Sequence, residues 1–314
     1  SKSVLKALLK ESIDLPNVSH DIRQASFLLD ASRAVLGLDD LAMVDLTDDD
    51  GSKTIAALWV IYDRQVEAFK ELPGVEAVAQ EIDFPLVKVL AGMESTGIKI
   101  EPAFFAKMSK ELASQLEKIE KSAYDLVGSE FNLASPSQLA VVLFEKLKLP
   151  TAGVKKGKTG YSTGIKELEK LRGQHPIIEL IEKHRELSKL KNTYVDTLPK
   201  LVDKNNRLHT NFRQDVAATG RLSSIDPNLQ NIPVRTELGR KIREGFVPDK
   251  GYVFVSADYS QFELRLAAVM SGDKAMIEAF NSDQDIHVLT AAAVVDIKPE
   301  EVTKEMRYKA KAVN

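Results

Sequence analysis

Asp258 closes an apolar run, Val253-Phe254-Val255-Ser256-Ala257, and Tyr259-Ser260-Gln261-Phe262-Glu263-Leu264-Arg265 follows at once. The pattern reads as a strand that ends on a carboxylate, then a helix with a second carboxylate and an arginine. Farther along, Arg307 and Lys311 lie four apart on a predicted helix and so share a face, with Lys304 one turn earlier. A metal-binding acid on a strand end, opposed by cations on a helix, is what phosphoryl transfer to a polyphosphate requires. The chain stops at Asn314, three residues after Lys311, and such a site is expected to be incomplete within it.

Each of these residues has a plainer reading beside the chemical one. Val253, Val255 and Ala257 alternate with Phe254, Ser256 and Asp258, so both faces of the strand are expected to be buried. A carboxylate ending such a strand is either paired or metal-bound, or it is the N-cap of the next helix; the two readings stand level. Ser260 and Glu263 fit the Ser-x-x-Glu capping box, and the residues alone favour that role for Glu263. For Arg307 and Lys311, a triphosphate clamp competes with a solvated basic face. Glu300, Glu301 and Glu305 near the N-terminal end favour ordinary helix-dipole design. His287 by itself reads as a structural or surface histidine, with Asp285 placed to pair with it.

Two polar loops stand out. Gly153 to Gly164 carries Lys155, Lys156 and Lys158 with Thr159, Ser162 and Thr163. Lysines, hydroxyls and backbone amides are the usual phosphate contacts, although a flexible solvated loop has the same composition. Thr219 to Pro233 is dense in turn formers and also holds Arg221, Asn228, Gln230 and Asn231, side-chain types that read or position nucleotides. A bland loop needs fewer bidentate groups.

The elements that must carry these residues follow from periodicity. Residues 1 to about 80 read as helical, with a loop from Thr47 to Lys53 and a break at Pro73-Gly74. Pro85 reopens a helix that ends near Gly97. After Pro102, apolar residues recur at Phe104, Met108, Leu112, Leu116, Ile119, Ala123 and Leu126, until Gly128 stops the helix. A second long helix starts at Pro176, a favoured first-turn position, and runs through Ile181, His184, Leu187, Leu190 and Tyr194 to Leu198. Each is expected to span about 30 Å, and a shared apolar seam predicts antiparallel packing with the lysine loop at the far tip. Short strands are expected from Arg207 onward.

The bulk numbers bound the answer. At 314 residues, 44% hydrophobic and 28% charged, the chain suits two or three soluble globular domains. The absence of cysteine excludes disulfides and thiolate metal sites and suits a reducing compartment. No apolar stretch has the length of a membrane span, and the start lacks a signal-peptide core. A start without Met is expected of an expressed piece rather than a native N-terminus. A net charge of −3 gives no global argument for nucleic-acid binding, so that argument rests on local patches.

Thr219 to Pro233, Ser256 to Arg265 and Arg307 to Asn314 resemble consecutive motifs of family A DNA polymerases, of the bacterial polymerase I type. The resemblance runs from about position 80 to the end, and Asp-Tyr-Ser-Gln-x-Glu-Leu-Arg is highly specific. It implies an α+β fold: a right-hand polymerase fragment with a 3′→5′ exonuclease-like remnant at 1–80, a helical thumb and its base at 81–210, the first part of the palm sheet at 211–274, and the first fingers helices at 275–314. It implies that Asp258 and the Tyr259 carbonyl ligate two Mg²⁺ ions, and that Glu263 crowds the sugar 2′ position against ribonucleotides. Gln261 and Arg221 resemble minor-groove contacts near the primer end, and Asn228, Gln230 and Asn231 belong to the same DNA-binding motif. Arg307, Lys311 and His287 match positions that bind the incoming deoxynucleoside triphosphate, with Lys311 also a candidate proton donor to pyrophosphate. Lys155, Lys156 and Lys158 become thumb-tip contacts with primer-template DNA. Lys191, Asn192 and Thr193 become backbone contacts at the thumb base.

The resemblance also marks departures. The family continues its basic helix with stacking aromatics, then supplies a second metal-binding aspartate from a His-Asp-Glu block; neither lies in this chain. One carboxylate is a poor cage for two hard cations. Efficient DNA polymerisation is therefore expected only with a complementing C-terminal polymerase chain, as in a split enzyme or a fragment of a longer one. His20 to Ala42 and Trp59-Val60-Ile61-Tyr62-Asp63 resemble the end of the exonuclease domain, with Trp in place of the usual Tyr and the earlier metal-binding acids missing, so proofreading is not expected. Apolar surface around Val253 to Ala257 and Phe262 to Met270 is expected to be exposed or poorly ordered in the isolated chain. The implied location is cytoplasmic, at the nucleoid, without membrane contact. The alternative is a non-catalytic DNA-binding or interaction module.

Overall fold

The computed structural model describes residues 2–13, 17–32, 37–43, 51–157, 160–234, 236–259 and 261–311. The chain divides into two compact units, Ser1–Tyr252 and Val253–Asn314. The division falls inside the segment 211–274 that the resemblance assigns to the palm. Among the described residues the fold is mainly helical, and its strands form short antiparallel pairs.

The first unit opens with α1 (Lys2–Lys10), α2 (Ile22–Leu29), α3 (Leu38–Ala42) and α4 (Ser52–Lys70). Asp21 caps α2 by accepting from the backbone N–H groups of Arg23 and Gln24. On α4 the buried residues Ala57, Ile61, Gln65 and Phe69 repeat every four positions, the stripe of a helix with one buried face. The break expected at Pro73-Gly74 falls just before the proline, at Glu71-Leu72. Pro73 sits at the first position of α5 (Pro73–Val78), where its missing N–H is no loss. A π-helical turn, Ala79–Asp83, leads into α6 (Phe84–Thr96), and Ala25, Phe69, Ala79 and Phe84 form a core between these helices.

Gly97 ends α6 at φ +64°, and a Cβ there would lie 2.5 Å from the Leu208 carbonyl oxygen. That close approach lets β1 (Ile98–Lys99) pair with β4 (Arg207–Leu208) further along. α7 (Pro102–Val127) begins under a Glu101 cap and ends at Gly128 in the left-handed region. Its 26 residues span about 39 Å, longer than expected. It buries Phe105, Met108, Leu112, Ile119 and Ala123.

Beyond α7 lie α8 (Pro136–Ala140), the hairpin β2 (Lys156–Gly157) and β3 (Gly160–Tyr161), and α9 (Ile165–Lys170). They pack on a core that includes Leu139, Leu143, Leu168, Ile177 and Ile181. α10 (Ile177–Leu190) then returns along α7. Ser109 donates to Asp196 at 2.7 Å, and Glu120 meets His184 at 3.0 Å, so the two helices are antiparallel. The helix expected to reach Leu198 is shorter. Residues 191–195 form a π-helical turn, closed by Asp196 N–H donating to the Lys191 carbonyl at 2.9 Å. Pro199 then permits only a 3₁₀ turn, Leu198–Lys200. Tyr194, Val195 and Leu198 still pack into the α7 core.

At the base, β5 (Asn211–Arg213) pairs with β6 (Ser223–Ile225), and α11 (Glu237–Glu244) places Ile242 beside Phe105 and Leu208 in the same core. Glu94 of α6 is 1% exposed. It meets Lys2 at 2.6 Å and Lys6 at 3.0 Å, and accepts from the Phe212 N–H at 2.7 Å. One carboxylate thereby joins α1, α6 and β5. Asp215 does the same for Arg23 and Arg213, at 2.5 and 2.6 Å.

The second unit holds α12 (Phe262–Ser271), α13 (Lys274–Asn281), α14 (Ile286–Val295) and α15 (Lys304–Ala310). Here the expected strand is corrected. Residues 253–259 have no regular secondary structure and are exposed on every side, Val255 at 86%. A strand exists only through its ladder, and among the described residues none pairs with this run. On α12 only Ala268 is buried, while Val269 and Met270 are open, Met270 at 86%. Among the described residues no helix is long and apolar enough to cross a membrane.

Candidate nucleic-acid and triphosphate site

α14 begins at an Asp285 cap, whose Oδ1 accepts from the N–H groups of His287 and Val288 at 2.9 and 3.3 Å. Thr303 caps α15 by accepting from Met306 N–H at 3.2 Å. Arg307, one turn into α15, donates to Asp285 Oδ2 through Nε at 2.7 Å and meets the same oxygen through Nη2 at 2.6 Å. Asp285 was expected to pair with His287. It holds the histidine by its backbone N–H and gives its second oxygen to Arg307.

This brings three of the anticipated residues together. Burial lowers the His287 imidazole from its ordinary value; Asp285 raises it, and Lys311 and Arg307 lower it again. The buried His287 ring therefore lies within the field of both Arg307 and the exposed Lys311. Burial alone would raise the Asp285 carboxyl, but the hydrogen bond from Arg307 and the His287 N–H hold it below its ordinary value. The basic face of α15 is not uniformly solvated: Lys309 pairs with Glu305 at 2.8 Å, and Arg307 is tied across to α14.

At the other end of the unit, Asp258 lies in the exposed run before α12. It does not cap that helix. The N-cap is Gln261, at φ +54° and without a side-chain cap bond, three residues beyond Asp258. Gln261 Oε1 is buried and has no hydrogen-bond partner among the described residues. The Tyr259 ring is 83% exposed and sits 5.5 Å from that of Phe262. Glu263 is exposed in the first turn of α12; Ser260, the other half of the expected capping box, lies outside the described residues. Arg265 stacks its guanidinium 4.7 Å over Phe280 and joins α12 to α13.

The donor set does not fit two Mg²⁺ ions. Among the described residues no three of His, Cys, Asp and Glu cluster for a metal. One exposed carboxylate with a neighbouring carbonyl falls well short of the six oxygens a hard divalent cation takes.

In the first unit the polar loop is more inward-looking than its composition suggested. Asn228 Oδ1 accepts from the N–H groups of Gln230 and Asn231, at 3.1 and 3.2 Å. Gln230 accepts from Ser224 N–H and donates to the Leu222 carbonyl, both at 3.1 Å. Two of the bidentate groups therefore build the turn itself. Asn231 is exposed, and its carbonyl accepts from Tyr194 at 2.6 Å, fixing the loop to the helix pair. Arg221 is exposed on the same loop. Lys191 pairs with Asp196 at 2.6 Å, while Asn192 and Thr193 face outward from the π-helical turn. Such turns recur at functional sites. At the tip Lys155 and Lys156 are exposed, the latter with its ammonium 5.3 Å from the Tyr161 ring centroid; Lys158 lies outside the described residues.

Sequence reasoning missed Glu94 and Asp215, which nothing in their neighbourhoods separates from other surface acids. The link from Asp285 to Arg307 was half visible, in the Asp-x-His that opens a helix.

With that geometry in hand, the class is settled by likeness to known proteins. The sequence model of DNA polymerase family A matches residues 102–314, and the chain belongs to that family. It is 43% identical over 321 residues to a thermostable DNA polymerase I of Thermus thermophilus, covering 100% of the chain and 38% of that protein. Against DNA polymerase I of Bacillus caldotenax the identity is 40% over 344 residues, again covering 100% of the chain and 38% of the relative. Among solved structures, the polymerase domain of Pol1 from M. smegmatis, in complex with DNA primer-template and dNTP, superposes with a TM-score of 0.88 at 35% identity. That match covers 99% of the chain and 56% of its counterpart. The chain thus spans well under half the length of these two bacterial relatives.

Proposed function

We propose that this chain supplies part of a DNA-directed DNA polymerase that transfers deoxynucleotides to a primer 3′-hydroxyl under template direction. The observation that carries the reading is Arg307 docked across α14 and α15 on Asp285, whose Oδ1 holds the backbone N–H of the buried His287, with Lys311 four residues on along the same helix. A docked arginine, an exposed lysine and a buried imidazole suit the polyphosphate of a deoxynucleoside triphosphate. Lys311, exposed at the end of α15, is placed to give a proton to departing pyrophosphate. Glu263 crowds the 2′ position of the incoming nucleotide's sugar, and Tyr259 lies on the substrate side beside Asp258. Gln261, with its buried oxygen unpartnered, contacts the primer terminus.

The first unit holds the duplex. Lys155 and Lys156 at the hairpin, Lys158 beside them in sequence, and Lys191, Asn192 and Thr193 at the base contact phosphates. Arg221 and Asn231 face the minor groove, with Asn228 and Gln230 shaping the turn that presents them. Residues 1–80 are an exonuclease-like segment. Asp258 would supply a single carboxylate toward divalent metal ions, with the other ligands to come from a complementing C-terminal polymerase chain. The incomplete donor set favours a second reading for the chain on its own, a DNA-binding fragment without chemistry.

Primer extension with Mg²⁺ and all four deoxynucleotides tests both. The chain alone is expected to bind duplex and not extend it. Adding the complementing segment should give extension that Asp258→Asn removes. Extension by the mixture that is indifferent to Asp258→Asn would sink the polymerase reading, and loss of duplex binding would sink both.

A further inference from the structure

We infer that Asp285 is a positioning residue for the guanidinium of Arg307, an inference that rests on the triphosphate reading of Arg307 proposed above. The geometry is specific. Asp285 Oδ1 is held by two backbone N–H groups at the start of α14, while Oδ2 receives Nε and Nη2 of Arg307 from α15. The carboxylate cannot rotate to follow the arginine without giving up its helix cap. Arg307 is therefore docked by one edge of its planar fork, and among the described residues Nη1 makes no hydrogen bond. That remaining edge is the one a phosphate oxygen pair would take. An unheld arginine of this exposure would sample many rotamers and lose that freedom on binding; here the loss is incurred on folding.

A competing effect gives the idea its test. A carboxylate beside an anion site also repels the anion. If Asp285 were only a counter-charge, neutralising it would tighten binding. The helix N-terminus that holds Asp285 offsets part of its charge, so orientation is expected to dominate.

The test uses the 314-residue chain and four forms: parent, Asp285→Asn, Arg307→Ala and the double variant. Asparagine caps a helix as well as aspartate does, so the first substitution leaves the fold standing. Two readouts are taken: the ¹⁵N-edited NMR signal of the Arg307 Nε–H, and affinity for inorganic tripolyphosphate at physiological salt. Asp285→Asn should move or broaden the Nε–H signal out of slow exchange and weaken tripolyphosphate binding by about five- to tenfold, yet by less than about twofold in the Arg307→Ala background. An unchanged Nε–H signal, or unchanged or tighter binding by Asp285→Asn when Arg307→Ala binds weakly, would overturn the inference while leaving the triphosphate reading intact. If Arg307→Ala matches the parent, including the case in which neither binds, the triphosphate reading fails and the inference falls with it.

Discussion

Glu94 illustrates what a single residue can do without any motif to announce it. Burial would raise its carboxyl, but Lys2, the Phe212 N–H and Lys6 together hold it below the ordinary 4.5. A carboxylate depressed in the folded state stabilises the fold above its unfolded value, and that contribution disappears as pH falls through the lower, folded value. Asp215, likewise buried but held below 3.8 by Arg213 and Arg23, acts in the same direction. Acid unfolding should therefore set in below pH 4.5 and be blunted in Glu94→Gln. At neutral pH that variant should lose about 1–3 kcal/mol, because hydrogen bonds to a charged acceptor are weakened while the partly exposed Lys2 and Lys6 keep some hydration; denaturant unfolding checks both. His287, whose imidazole is also lowered by burial in the folded state, acts in the same direction as these carboxylates. Its imidazole should have an NMR midpoint below 6.5, and tripolyphosphate bound at Arg307 and Lys311 should move that midpoint up, since an anion favours the protonated ring. A midpoint unmoved by ligand would separate His287 from the anion.

At the scale of elements, the outcome divides by whether an element's pattern is complete within itself. The seam of α7 was legible because Met108, Leu112, Ile119 and Ala123 repeat at helical spacing, and the proline and glycine at its ends supply local stop signals. The strand through Val253–Ala257 was misread because a strand's existence depends on a neighbour that sequence spacing does not reveal. The π-helical turn at Lys191–Val195 was also invisible, since its apolar residues keep the period of the helix before it. In the site, the shared face of Arg307 and Lys311 could be read from their spacing, whereas the bond from Asp285 to Arg307 joins residues 22 apart. Gly97 gives the element-scale test. It needs φ +64° and leaves 2.5 Å between a notional Cβ and the Leu208 carbonyl. Gly97→Ala should lower stability by roughly 1–3 kcal/mol, read as a drop in Tm, with the β1–β4 pairing the first part to lose amide protection.

For the molecule as a whole, the two units differ in how well each closes on itself. The first holds several buried cores, among them those around Phe69, Phe105 and Leu143. The second leaves Val253, Phe254, Val255, Val269 and Met270 open. Hydrogen exchange should show amides of residues 253–259 exchanging within the shortest labelling time, beside slow exchange along α7 and α10. Uniform protection across both units would contradict this picture. An added complementing polymerase segment should slow exchange in the same run.

The helix pair has one more consequence, a mechanical one. α7 is a rod of about 39 Å, anchored at one end by Ile100, Phe105 and Leu208 and carrying the lysine hairpin toward the other. Over such a lever arm, a pivot of about 10° at the base sweeps the tip through about 7 Å, more than one turn of helix. The irregular turn at Lys191–Val195 lies beside that fulcrum. Small adjustments there would be magnified into displacements of Lys155 and Lys156 some 40 Å away.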